Sequence, residues 1–242
     1  LHISADATPQ FSDCEIGDST AVDGGVVAIL DGQPQFDQQC RLHTGQASGN
    51  GGVVWVSGQD AILTASSTTI EGGSAQRGGL MGVFDNAICV LADVDMADGV
   101  ANLDGGGLHV NDSAVDWDGG SCSNNTAAID GGGIYAVGSG SVGLAGVTIE
   151  ANDAINRGGG LFTAPYIDDS DVYHENDMVL TCTDETAFVS NVSGWKGGGL
   201  YVQHDDDPND RLFVLDTSLI NNTSNIEGGG IAIYRGGLSW DG

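Results

Sequence analysis

Apolar residues in this chain come in short runs, broken every few positions by glycine, asparagine or aspartate. Val26-Val27-Ala28-Ile29-Leu30, Val53-Val54-Trp55-Val56 and Ile134-Tyr135-Ala136-Val137 are typical. They are β-branched or aromatic, short, and bounded by turn-forming residues, the pattern of buried strands. No segment holds a 3.6-residue apolar period between helix caps, so helices are not the recurring element. No apolar run approaches the roughly 20 residues that cross a bilayer, which excludes direct insertion into a membrane as a helix.

The runs repeat. A Gly-Gly pair followed by Val, Leu or Ile begins at Gly24, Gly51, Gly78, Gly106, Gly132, Gly159, Gly198 and Gly229, at spacings of 27, 27, 28, 26, 27, 39 and 31 residues. Seven residues before the last four pairs stand Asn125, Asn152, Asn191 and Asn222, each preceded at a further three by an apolar residue. The same offset in the first four repeats gives Gly17, Thr44, Glu71 and Gly99. Two more extended runs separate one glycine pair from the next asparagine, as in Ser141-Val142-Gly143-Leu144 and Val147-Thr148-Ile149.

Three short strands per repeat, joined by glycine-rich turns, predict an all-β, single-stranded parallel β-helix of about eight coils of roughly 27 residues. Crossovers between parallel strands are right-handed in almost all cases, so a right-handed coil is expected. Strands stacked roughly 4.8 Å apart give a rod about 40 Å long. The asparagines then fall at one corner of consecutive coils and form a ladder of side-chain amides along the stack. Residues 1–242 read as one continuous domain. Trp240-Asp241-Gly242 echoes Trp117-Asp118-Gly119, so the repeat is cut mid-coil; part of a longer chain, or a subunit joining its own copies end to end, is the expectation.

Composition sharpens this picture. Glycine accounts for 40 residues, and 34 acidic side chains face 6 basic ones for a net charge of −28. Only 4 prolines and no Gly-X-Y period exclude collagen, and the acidity excludes a basic nucleic-acid binder. The residues just before the glycine runs are Asp23, Asn50, Arg77, Asp104, Asp130, Arg157, Lys196 and Glu227. Stacked coil on coil they set Arg77 beside Asp104, Asp130 beside Arg157 and Lys196 beside Glu227, which is inter-coil ion pairing rather than chemistry.

Phe188-Val189-Ser190-Asn191 followed by Gly197-Gly198-Gly199-Leu200 resembles the paired FxxN and GGA[ILV] motifs of the polymorphic outer membrane protein repeats. The other copies begin with Ile, Leu or Cys, and Gly-Gly-Gly replaces Gly-Gly-Ala. The resemblance implies a β-helical passenger of a surface adhesin or autotransporter.

Two repeats are longer, through extra residues at 163–177 and 204–210, after the same strand. They are expected on one edge of the solenoid, where insertions carry binding sites. Asp168, Asp169, Asp171, Asp205, Asp206 and Asp207 supply oxygen ligands suited to Ca²⁺; a solvated acidic loop is the plainer reading, and no cofactor is required. Tyr166 and Tyr173 offer sugar-stacking faces. Catalytic motifs are missing: the histidines lack metal spacing, no serine lies in a GxSxG elbow, and acids are too abundant for any pair to be informative.

Five cysteines leave at least one unpaired within the chain. Cys14 and Cys40 hold nearly the same repeat position on adjacent coils and form a candidate disulfide. Sequons at Asn111, Asn124 and Asn221 are candidates for glycosylation, whereas Asn191 and Asn222 are expected to point inward. The expected function is a non-catalytic extracellular structural or adhesive module of a cell-surface or filament-forming protein, meeting neighbouring repeats or a polysaccharide or host-surface ligand. The alternative is a carbohydrate-active β-helix that binds or cleaves a polysaccharide along the side bearing the acidic loops.

Overall fold

The computed structural model describes residues 1–167, 170, 172–203, 211–234 and 237–241. It is all-β: parallel strands stack coil on coil into a β-solenoid of about eight turns, roughly 27 residues apart. One side is a nine-stranded parallel sheet running from His2–Ile3 through Val27–Leu30, Val54–Ser57, Met81–Phe84, Leu108–Asn111, Ile134–Val137, Leu161–Thr163 and Leu200–Gln203 to Ile231–Tyr234. The remaining sides form a 21-stranded sheet that bends around the core. Ile88–Ala97 makes the bend in a single strand. Its first half pairs with Ile62–Ser66 and its second half with Thr69–Glu71.

Beyond the asparagine corner most coils carry a further two-residue strand, such as Val100–Ala101, Thr126–Ala127 and Asp153–Ala154. The expected three strands per coil hold where one long strand spans the bend, as in Ile88–Ala97 and Ala114–Ser123, and become four where it is broken in two, as in Ser139–Ala145 and Thr148–Glu150.

Alternation along each strand fills the interior. Leu108 and Val110, Val115 and Trp117, and Cys122 are at most 1% exposed and belong to one apolar core running the length of the stack. The pairing register makes columns of equivalent residues. Ile70, Met96, Cys122, Ile149, Phe188 and Leu219 form one inward column, and each buries its side chain against those of the coils on either side.

Left-handed backbone turns each coil. A positive φ recurs at the first glycine of every run: Gly24, Gly51, Gly78, Gly105, Gly131, Gly158, Gly197 and Gly228. The sequence alignment on the glycine pair is thus corrected by one residue in the five triplet coils, where the triplet's first glycine occupies the turn. A second positive-φ column runs through Asp18, Thr44, Gly72, Asp98, Asn124, Ala151, Ser190 and Asn221. Asparagine, aspartate and glycine tolerate that conformation best, which explains most of its membership.

Candidate functional site

The residue after this left-handed column opens the interior ladder. Asn125 Nδ2 donates to Asn152 Oδ1 at 2.9 Å, Asn152 to Asn191 at 3.0 Å, and Asn191 to Asn222 at 2.9 Å. Each Oδ1 also accepts the preceding coil's backbone N–H: Gly99 to Asn125 at 2.8 Å, Asn125 to Asn152 at 3.0 Å, Asn152 to Asn191 at 3.0 Å and Asn191 to Asn222 at 2.9 Å. The second amide hydrogen reaches a backbone carbonyl, Cys122, Ile149 or Phe188, at 2.7–2.9 Å for the last three asparagines. Asn125, Asn152 and Asn191 are fully buried, where an unpaired amide is costly.

In the earlier coils the register places Ser19, Gly45 and Gly73 in this column, followed by Gly99. Gly17, Thr44 and Glu71 do not share it, a correction to the fixed seven-residue offset, because these coils are one or two residues shorter between ladder and glycine pair. A steric exchange explains the switch from glycine to asparagine. A Cβ at Gly45 would lie 2.9 Å from Val26 Cγ2, at Gly73 2.6 Å from Val53 Cγ2, and at Gly99 2.6 Å from Leu80 Cγ. In the next coils that third position is itself glycine. A Cβ at Gly107, Gly133, Gly160 or Gly199 would meet the amide of Asn125, Asn152, Asn191 or Asn222 at 3.0–3.1 Å. Valine or leucine thus fills the space that asparagine occupies wherever the glycine run is a triplet.

A second ladder stands on the outer face of the nine-stranded sheet. His109, Tyr135, Phe162 and Tyr201 are in register. Their rings stack with Phe84 and Tyr234 into a column of six, with centroid separations of 5.2, 4.8, 5.0, 5.3 and 6.1 Å. At its two ends Gly82 and Ala232 hold the register position. A Cβ at Gly82 would lie 2.7 Å from Phe84 Cε2, so glycine there leaves room for the Phe84 ring. Although outward-facing, the four in-register rings are covered, at 1–8% exposure, while Tyr234 at the end of the stack is 42% exposed. Tyr135, Val137, Phe162, Ala164 and Tyr201 form a separate apolar cluster with Tyr166 packed against it.

The charged column flanks the rings. Asp130 receives Arg157 Nε at 3.1 Å on one oxygen and Nη2 at 2.6 Å on the other, and the Arg157 guanidinium lies 4.7 Å from the Phe162 ring centre. Lys196 pairs with Glu227 at 2.8 Å. On another side Arg41 bridges Glu15 at 2.6 Å and Glu71.

Ring stack, charged column and first insertion meet at a pocket of about 180 Å³, lined by residues that include Arg77, Asp104, His109, Asn111 and Tyr135. The insertion is an antiparallel hairpin, Tyr166–Ile167 against Tyr173–His174. Tyr166 stacks on His174 at 4.6 Å, and its hydroxyl donates to Asn111 Oδ1 at 3.1 Å. It thereby lies over the pocket.

Burial, reinforced by the nearby Asp130 charge, pushes the Asp104 carboxyl up to about 7, against the pull of the Asp130 N–H, Arg77 and Arg157. Burial and Arg77 push the His109 imidazole down to about 3, although it hydrogen-bonds the Asp104 backbone. At neutral pH the ring is therefore uncharged, and its buried Nδ1 has no hydrogen-bond partner. Burial, then Asp104 and Asp130, hold the Tyr135 phenol protonated. Both Asp130 oxygens are occupied by Arg157, and Asp104 Oδ1 accepts the Asp130 N–H at 3.2 Å.

The other sequence candidates are placed as follows. Asn124 and Asn221 are exposed, while Asn111 is half-buried beneath Tyr166. Cys14 and Cys40 lie with their sulfurs 2.6 Å apart as free thiols; burial and Cys40 push the Cys14 thiol up to about 12. Asp168, Asp169, Asp171, Asp205, Asp206 and Asp207 lie outside the described residues. Among the described residues no group of three or more His, Cys, Asp or Glu side chains could hold a metal ion.

Sequence reasoning missed the pocket because His109 and Asp104 fit no motif. A signal was present: His109, Tyr135, Phe162 and Tyr201 each stand four residues after the first glycine of their run. The class of protein defined by these columns is a parallel β-solenoid with polar and aromatic ladders. No family model, curated protein or solved structure matches the chain.

Proposed function

We propose that this chain is a non-catalytic extracellular module, structural or adhesive, of a cell-surface or filament-forming protein. The observation that carries the reading is the continuity of its columns. Three stacked amide pairs, six stacked rings and two flanking ion pairs tie together the coils from Met81–Phe84 onward. These contacts reward stacking and rigidity. Of the two neighbouring carboxylates, Asp130 has both oxygens engaged by Arg157. The charge of −28 suits a rod surrounded by salt and cations, and the resemblance to polymorphic outer membrane protein repeats supports a place at the cell surface.

The test incubates the purified chain with a panel of acidic and neutral polysaccharides. Retention on immobilised polysaccharide or on cells is compared with release of reducing ends and of unsaturated uronate. A structural or adhesive module produces no new chain ends, whether or not it is retained. Chain cleavage that disappears in Asp104→Asn would replace this reading with that of a polysaccharide hydrolase or lyase.

A further inference from the structure

We infer that the turn bearing Trp195 is a self-association surface, on which a second copy of this chain packs antiparallel about a two-fold axis passing at Trp195. The assignment stands on the surface of the rod alone and holds whatever ligand the module meets.

Strand register fixes where the residues of this turn lie. Ala154, Ser193 and Ser224 share one column, and Arg157, Lys196 and Glu227 share another. Two residues separate the columns in each coil, Ile155-Asn156, Gly194-Trp195 and Asn225-Ile226. Trp195 N–H donates to the Asn156 carbonyl at 2.7 Å, and Ile226 N–H to the Trp195 carbonyl at 3.1 Å. Asn156, Trp195 and Ile226 therefore stack, with Ile155 one residue to the side. Ile155 is 64% exposed, Trp195 44% and Ile226 61%, and Val192 on the preceding strand is 41% exposed. Single apolar residues on a surface are ordinary, but four on three successive coils form a patch. At its centre is tryptophan, a residue enriched among the anchors of protein interfaces. A Cβ at Gly194 would lie 2.1 Å from the Ile155 carbonyl oxygen, so the position beside the indole carries no side chain to cover it.

Symmetry selects the occupant. Along the rod the exposed series is Ile155, Trp195, Ile226, which has the same character in either direction. An antiparallel copy sets Trp195 against its own counterpart and brings each Ile155 beside Ile226 of the second copy, the reciprocal contact that a two-fold interface requires. Charge follows the same operation. Arg157 comes opposite Glu227 of the second copy, twice, and their side chains keep 27% and 54% exposure despite their pairs within the chain. Lys196, which meets its counterpart near the axis, is 12% exposed and already held by Glu227. Two cations and one anion flank the patch in a chain of net charge −28, so two such rods approach here without the repulsion their other acidic surfaces impose.

The test is sedimentation equilibrium on the full chain from about 5 to 500 μM at 0.15 M salt. The mass should rise from the 24.6 kDa of the monomer towards twice that value, with a Kd on the order of 100 μM, as for a small transient interface. Trp195→Asp sets like charges face to face and should weaken association about tenfold or more. Val179→Asp, at a 47% exposed position on another face, should leave it unchanged. Ile155→Lys and Ile226→Glu should each lose self-association, and mixing the two variants should restore it, because the antiparallel copy brings position 155 beside position 226. All four sites are exposed, so circular dichroism should show the parent fold in each variant. A monomer throughout the concentration range overturns the assignment. So does association that survives Trp195→Asp, that is lost equally in Val179→Asp, or that mixing fails to restore.

Discussion

Asn152→Ala cuts the amide ladder at its centre. The Asn152 side chain takes part in four hydrogen bonds: it accepts from the Asn125 backbone N–H at 3.0 Å and Nδ2 at 2.9 Å, and donates to the Cys122 carbonyl at 2.9 Å and Asn191 Oδ1 at 3.0 Å. Alanine removes all four and leaves the Asn125 N–H and amide without their acceptor in a site no water reaches, since Asn125 and Asn152 are both 0% exposed. A buried polar group left unpaired costs about 1–3 kcal/mol, and two such groups put the loss at about 2–6 kcal/mol. Urea unfolding followed by circular dichroism reads it as a lower midpoint. Asn225→Ala, at an exposed position of a later coil, serves as the control and should stay within about 0.5 kcal/mol. A loss below about 1 kcal/mol for Asn152→Ala would refute the reasoning, because the ladder would then contribute no more than an exposed amide.

Other consequences are equally open to measurement. Gly99→Ala places a Cβ 2.2 Å from the Gly106 carbonyl oxygen and 2.6 Å from Leu80 Cγ; it should cost at least about 2 kcal/mol in the same unfolding assay. Asp104 binds protons more tightly in the folded chain, at about 7 against 3.8. Its contribution to stability is therefore present at low pH and lost as pH rises from about 4 to 7. Asp104→Asn should match the parent near pH 4 and exceed it above pH 7 by a few kcal/mol, whereas a gap that shrinks with rising pH contradicts the assigned direction. His109 is pushed the opposite way, so its contribution is lost as pH falls from 6.5 towards about 3; measuring the Asp104→Asn gap in a His109→Phe background separates the two. Oxidised protein should show a Cys14–Cys40 disulfide in non-reducing peptide mapping. Closing a loop of 26 residues should raise stability by about 3 kcal/mol over the reduced form on the chain-entropy estimate, and peptides bridging other cysteines instead would count against the pairing.

Periodicity made the solenoid legible. Glycine runs, apolar triplets and the late asparagines each recur once per coil, and a parallel stack converts recurrence in sequence into adjacency in space. Register in the early coils was less visible because it depends on side-chain volume at a distance. Whether Gly73 or an asparagine stands in the ladder is set by Val53, some 20 residues earlier in the chain but in contact across the core. The outer ring stack shows the same limit. Phe84 and Tyr234 sit two residues beyond the register position and enter the column only by leaning over Gly82 and Ala232. The pocket was hidden for another reason: it is made where the insertion hairpin returns over earlier coils, with Tyr166 bonding Asn111 from 55 positions away. No local motif encodes such a contact.

Amide hydrogen exchange followed by NMR tests the central claim, that in-register ladders hold consecutive coils as one rigid stack. The backbone N–H groups of Gly99, Asn125, Asn152 and Asn191 each donate to the asparagine Oδ1 of the next coil. They should exchange together, slowed about 10⁴-fold or more relative to an unstructured chain. Exchange of these four amides within about tenfold of the unstructured rate would contradict the account.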